Sequence, residues 1–220
     1  MEVDVITIDG PTSSGKNSVG FLLAQKLGYQ YIDTGMIYRV GTYLVLKNNI
    51  PLNDVPQITD IFENLNIEIR NGNDALKILN NGEELTDLLH TTVVTNNVST
   101  VAAFREVREV TKIIQRKLGD LKNTVMTGRD IGSEIFPLAK HKFFLTAKIE
   151  IRAKRRFDQL IKLDSAVKYK DVLNSMLERD KKDSEREVSP LRVPEGAITI
   201  DNSDMSVEQT VAKMIKYINA

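Results

Sequence analysis

Seven residues, Gly10-Pro11-Thr12-Ser13-Ser14-Gly15-Lys16, restrict the fold of this chain more than any others. They follow an apolar, β-branched run at positions 3–8 and precede Val19, Leu22, Leu23 and Leu27 at helical spacing, closed by Gly28. In a strand, glycine-rich loop and helix taken in that order, the backbone can curl so that successive N–H groups converge on phosphate oxygens. The helix N-terminus adds its positive end, and Lys16, read as an exposed loop side chain, adds a movable charge. The strict pattern then breaks, because Asn17 stands where Ser or Thr is expected and Ser18 follows one place later. An ordinary strand-to-helix turn rich in Gly and Ser is the alternative, and the flanking elements weigh against it.

The same alternation recurs along the chain. Short strands are expected at 29–32, 124–127, 142–146 and 197–200, with a helix at 35–47 and helical stretches between or after the others. Strands separated by helices imply a doubly wound parallel sheet of the P-loop NTPase type, with helices on both faces. Between about 65 and 85 the rhythm changes: Ile67, Ile69, Leu76, Ile78 and Leu85 sit on short segments punctuated by Asn71-Gly72-Asn73 and Asn80-Asn81-Gly82. Such Asn-Gly signals predict hairpins, hence a small antiparallel β insertion. Residues 91–119 should then be largely helical. At 220 residues the expectation is one domain, 1–220, with an inserted subdomain.

Composition limits the partners. Lys and Arg number 30 and Asp and Glu also 30, so no overall field favours nucleic acid or an anionic membrane. The chain has no cysteine, which excludes disulfides and thiolate metal sites and fits a cytoplasmic protein. The first eight residues carry acids where a secretory leader needs bases, so no leader is expected. His90 and His141 lie in no motif that needs a histidine and read as structural or solvated.

Two loops make the acceptor argument. Asp33-Thr34-Gly35-Met36-Ile37-Tyr38-Arg39 and Gly128-Arg129-Asp130-Ile131-Gly132 each follow a predicted core strand, and the carboxyl ends of strands are where doubly wound sheets bind ligands. Arginines there would frame an anion opposite the phosphate loop. Arg179, Asp183 and Arg186 fall at i, i+4 and i+7, one face if the segment is helical; a solvated, charge-compensated helix end is the other reading. Arg152, Arg155 and Arg156 also share a helical face, with a nucleic-acid patch as the competing reading.

Taken with Val101-Ala102-Ala103-Phe104, Val107-Arg108, Phe136-Pro137 and Val188-Ser189-Pro190-Leu191, these stretches resemble the bacterial cytidylate kinases over nearly the whole chain. The resemblance implies transfer of the γ-phosphate of ATP to CMP, and to dCMP, with Mg²⁺ accompanying ATP. It implies a monophosphate-binding insert at 62–98 and a mobile lid at about 150–168, both closing on the substrates. Residues 10–18 (Gly10, Pro11, Thr12, Ser13, Ser14, Gly15, Lys16, Asn17, Ser18) and Arg152 would bind ATP, with Ser18 near the metal. Arg108, Asp130 and Ser99 would read cytosine, Arg179 and Asp183 would hold the ribose hydroxyls, and Arg39, Arg129 and Arg186 would grip the CMP phosphate beside Thr34. Lys16, Arg129, Arg186, Arg155 and Arg156 would carry the chemistry. No further partner, nucleic acid or membrane is implied, and no feature demands more than a monomer. A kinase of another small metabolite would share the loop but has no evident use for the β insertion, and a nucleotide-binding module without transfer activity remains a third reading.

Overall fold

Every residue of the first strand, β1 (Val5–Asp9), is buried, the pattern of a strand covered on both faces. The computed structural model describes residues 3–72, 76–162 and 164–220. After β1 the chain enters α1 (Lys16–Leu27), which stops where Gly28 adopts a left-handed conformation at φ 68° and donates to the carbonyls of Ala24 and Gln25. β2 (Gln30–Asp33) comes next, and Asp33 caps α2 (Thr34–Lys47) by accepting from Gly35 N. A helix that sequence reading overlooked, α3 (Val55–Glu63), follows. Asp54 caps it, Pro56 lies in its first turn, and Ile58 and Phe62 are fully buried.

The Asn-Gly punctuated stretch is an antiparallel sheet of β3 (Ile67–Asn71), β4 (Leu76–Asn80) and β5 (Glu83–Glu84). Asn81 and Gly82 both have positive φ, 51° and 81°, as a primed hairpin turn requires. The other expected turn runs into residues 73–75, outside the described ones. The insert packs Ile78, Leu85 and Leu89 against Met36 and Val40 of α2. A 3₁₀ turn (Thr86–His90) leads to α4 (Thr92–Val101) and α5 (Arg105–Gly119). The break between these helices holds an extended Phe104, packed with Tyr38, Phe62, Val101 and Val107.

The chain continues through β6 (Thr124–Gly128), a π turn (Ile131–Ile135), β7 (His141–Thr146), α6 (Ile149–Leu160), α7 (Tyr169–Glu185), β8 (Ile198–Asp201) and α8 (Val207–Ile218). Five of these strands form a parallel sheet in the order β2-β6-β1-β7-β8. On one face Ile8, Leu23, Val125, Val211 and Met214 share a core; on the other Ile32, Ile37, Met126, Ile131 and Ile135 do. From β1 the chain crosses to one edge at β2 and later fills the other with β7 and β8. The winding therefore reverses beside β1 and β6, and the crevice at their carboxyl ends is the place for a ligand. Among the described residues no helix is long and apolar enough to cross a membrane.

Candidate active site

The loop after β1 is held by backbone contacts that few side chains would permit. A Cβ on Gly10 would sit 2.1 Å from the Leu145 carbonyl oxygen, and Gly15, the residue before α1, is left-handed at φ 88°. Gly15 also has no side chain to cap α1, so the first-turn N–H groups are left for an anion. Lys16 corrects the sequence reading: it is 7% exposed, with Nζ donating to the Pro11 carbonyl at 2.9 Å. Burial, helped by the neighbouring Arg129 guanidinium, pushes its pKa well below the usual lysine value, against the pull of Asp33. An arriving phosphate would reverse that shift.

A cavity of about 740 Å³ runs from this loop to the acceptor side. Thr12, Ser13, Gly15, Lys16, Asn17 and Ser18 line one end, while Thr34, Arg39, Ser99, Arg108, Arg129, Asp130, Arg179, Asp183 and Arg186 line the rest. Six segments distant in the chain thus meet in one cleft. Four of the expected site residues do not line it: Gly10, Pro11 and Ser14 stand behind the loop, and Arg152 is turned elsewhere. The Arg152 guanidinium donates to the Thr12 carbonyl at 3.1 Å and to Asp180 Oδ2 at 2.5 Å, while Asp180 Oδ1 accepts from Thr12 N at 3.3 Å. With its other donor on the Ala147 carbonyl, Arg152 acts on the phosphate loop's backbone, at a remove from the cavity that the other two arginines of α6 line.

On the acceptor side the charges alternate. Arg108 of α5 pairs with Asp130; Arg186 lies 4.0 Å from both Asp130 and Asp183; and Asp183 accepts from Arg129 Nε at 2.8 Å. Arg186 departs from the helical face expected for it. α7 ends at Glu185, and Arg186 is extended (φ −64°, ψ 143°), with Nε on the Ser189 carbonyl at 2.6 Å. Burial alone would raise the Asp183 pKa, but Arg129, Arg179 and Arg186 hold it below the usual carboxylate range. Burial likewise works against the Arg108 charge, yet Tyr38, whose ring lies 5.5 Å from the guanidinium, and Asp130 leave its pKa raised. Arg179 is pushed down to about 10 by burial and by the Arg129 charge. Among the described residues, buried Arg179 Nε and Arg186 Nη2 have no hydrogen-bond partner, which a bound anion could supply. Thr34 donates its hydroxyl to the Thr127 carbonyl at 2.9 Å, and Arg39 donates to the Leu89 carbonyl and to Thr95.

Residues overlooked in the sequence complete the far end. Asn202, Met205, Ser206 and Val207 line the cavity near Arg155, Arg156 and Gln159. Asn202 accepts from Arg155 at 3.0 Å through its side chain and at 2.9 Å through its carbonyl, and donates to the Ser14 carbonyl at 2.9 Å. Its position immediately after the last strand was the available signal. Hard oxygen donors for a divalent cation on the cavity wall include the Ser18 hydroxyl and the Asp33 carboxylate, the latter bonded to Asn17 Nδ2 at 2.5 Å. No cluster of three or more His, Cys, Asp or Glu stands ready for a metal among the described residues. This sparse set fits Mg²⁺ carried mainly by nucleotide oxygens and water.

Solved structures resemble the fold at low identity. An uncharacterised protein from Eubacterium ventriosum superposes with a TM-score of 0.53 at 16% identity, covering 99% of each chain. A shikimate kinase from Bacteroides thetaiotaomicron gives 0.50 at 11%, again covering 99% of each. Sequence relatives are much nearer. The cytidylate kinase of Caldanaerobacter subterraneus subsp. tengcongensis is 41% identical over 213 residues, 97% of this chain and 93% of that protein. Those of Bacillus subtilis and Carboxydothermus hydrogenoformans are 39% and 42% identical, each over 97% of this chain and 95% and 96% of their own length. The cytidylate kinase family model matches residues 6–220. That match takes in both walls of the cleft, from the phosphate loop to Asn202, and with the relatives' full-length identity it shows that the chain belongs to the cytidylate kinase family.

Proposed function

We propose that this chain transfers the γ-phosphate of ATP to CMP, and to dCMP, giving ADP and the corresponding diphosphate. The observation that carries the reading is the single cleft in which a phosphate loop faces four buried or half-buried arginines and a carboxylate-guanidinium pair. In this reading residues 10–18 cradle the phosphates of ATP, and Lys16 meets the transferring group. Arg39, Arg129 and Arg186 hold the CMP phosphate, Arg179 and Asp183 the sugar hydroxyls, and Arg108, Asp130 and Ser99 the cytosine. Asp130 can accept from the exocyclic amine of cytosine and opposes the carbonyl that uracil carries there.

A phosphate oxygen of CMP attacks the γ-phosphorus, the bond to the bridging oxygen of ADP breaks, and the electron pair leaves with ADP. No general base is needed, since the attacking oxygen is already largely ionised at neutral pH. The residues therefore position two anions, offset their repulsion and stabilise the group in flight. Arg155 and Arg156 approach from α6, the helix of a lid at about 150–168 that excludes water, while the insert at 62–98 closes from the other side. Position 163 of that lid lies outside the described residues. Ser18 and Asp33 would hold Mg²⁺ together with ATP, and the ion would supply charge neutralisation there. The enzyme acts as a cytoplasmic monomer with no nucleic-acid or membrane partner.

ATP consumption measured with CMP, dCMP, UMP, AMP and no acceptor tests the reading. CMP and dCMP should stimulate turnover most, and Lys16→Ala should nearly abolish it. Equal rates with and without CMP, or near-normal turnover by folded Lys16→Ala, would refute it.

A further inference from the structure

Asp9, the last residue of β1, has none of the roles assigned above. It is fully buried, and its two carboxylate oxygens accept separately from consecutive backbone amides, Ile131 N at 2.8 Å and Gly132 N at 2.7 Å. The same residue stands opposite Gly128 in the β1–β6 register. The chain therefore departs from Asp9 at Gly128, passes through Arg129 and Asp130, and is caught again by Asp9 at Ile131. One residue brackets the dipeptide at both ends.

The segment is also held at the Asp130 carbonyl, which accepts from Glu134 N at 2.9 Å, and at Arg129, whose Nε donates to Asp183 at 2.8 Å. Asp130 has an irregular backbone (φ −145°, ψ 21°) between a strand and a single π turn, and its side chain must sit correctly between Arg108 and Arg186. A buried carboxylate is a costly device for holding a turn. Burial pushes the Asp9 pKa up to about 7, against the lowering effect of its two amide bonds; Asp130 adds to the rise, and Lys16 opposes it. A methyl group could fill the space but accepts neither N–H, and a single hydroxyl oxygen could not stand at both of the positions that Oδ1 and Oδ2 occupy.

We infer that Asp9 is a positioning residue for base recognition, whose carboxylate sets the height at which the Arg129-Asp130 segment presents Asp130 to the cytosine. The inference rests on the proposed role of Asp130 in reading the base. Asp9 directly precedes Gly10 of the phosphate loop, but its carboxylate bonds only the Ile131 and Gly132 amides on the other side of the cleft.

Asp9→Asn keeps the shape but offers one acceptor oxygen and one NH₂, and an NH₂ cannot bond a backbone N–H. The variant should raise the CMP KM and reduce the CMP-over-UMP preference by roughly tenfold, with the ATP KM changed less than about twofold. A variant that shifts only in melting temperature, with the wild-type CMP KM and preference, overturns the inference. Should the variant not fold, dissociation constants of CMP and UMP for the wild-type protein between about pH 6 and 8 give the answer. The phosphate ionisation is common to both ligands and cancels in their ratio, and neither base titrates in that range. The preference for CMP should grow as Asp9 ionises near the middle of the range, and a flat ratio above unity overturns the inference. Equal binding of CMP and UMP at every pH would remove base reading by Asp130 itself, and the inference with it.

Discussion

Asp130→Asn tests whether the acidic side chain in a loop proposed to bind an anion serves the base or merely its arginines. Asp130 and Arg108 are 6% and 4% exposed at their side chains, so neither charge can turn to water when the other is lost. Removing one partner of a buried pair costs about 3–5 kcal/mol. Arg108 retains a bond to the Ala102 carbonyl at 3.1 Å and the ring of Tyr38, which places the loss at the lower end, about 3 kcal/mol. For a chain of this size that is a fall in Tm of roughly 6–12 °C. The thermal melt should be followed with and without CMP, and kcat/KM measured for CMP and UMP in the same preparation. Direct reading of the amine requires the CMP preference to shrink by about tenfold. Equal losses for the two nucleotides would make Asp130 an organiser of Arg108 and Arg186 alone. A Tm unchanged within about 2 °C would refute the buried-pair argument as well.

Arg152→Met should raise the ATP KM several-fold and leave the CMP KM nearly unchanged, because it frees Asp180 and the Thr12 backbone but touches nothing on the acceptor side; equal effects in initial-rate titrations of the two substrates would contradict that placement. Gly41→Ala should destabilise by about 1–3 kcal/mol in urea denaturation, since its Cβ would fall 2.2 Å from the buried Phe62 ring, and an unchanged midpoint would count against the packing of α2 on α3. The Asp9 carboxyl has a folded pKa of about 7 against an ordinary 3.8, so the folded state holds the proton more tightly. Its stabilising contribution is complete below about pH 4 and is lost as pH rises through about 7, on the order of 4 kcal/mol across the window. Urea midpoints of wild type and Asp9→Asn at several pH values should therefore converge toward low pH relative to their separation at pH 8, and parallel curves would contradict the shift.

The parts of this fold legible in the sequence are those set by local chemistry. The phosphate loop, the left-handed stop at Gly28 and the turn at Asn81-Gly82 all announce themselves through residues that only a few backbone shapes accommodate. The helix α3 was legible too, through Asp54 three places before Gln57 and Pro56 in its first turn, but so short a segment beside a loop is easily passed over. Other features depend on distant packing. Residues 102–104 interrupt an otherwise helical stretch because Phe104 is drawn into a core shared with α2 and α3. Strand order, with β6 between β2 and β1, is written in no local pattern. In the cleft, the arginine-bearing loops were readable from their places after strands. Lys16 nevertheless proves buried, Arg152 is turned onto the loop backbone, and Asn202 joins the site from just past β8. Each of these outcomes depends on which partner lies within reach across the sheet, and spacing along the chain carries no record of that.

The alternating run Arg108, Asp130, Arg186, Asp183, Arg129 has a consequence for engineering this enzyme toward other bases. In this run, substituting either carboxylate strips a buried or half-buried arginine of its close partner, so a first step taken at Asp130 lowers stability before it improves selectivity. Effects within such a group do not add. Libraries that vary positions 108, 130 and 186 together, built on a background stabilised elsewhere, should yield uracil-accepting variants that stepwise selection from the natural sequence misses.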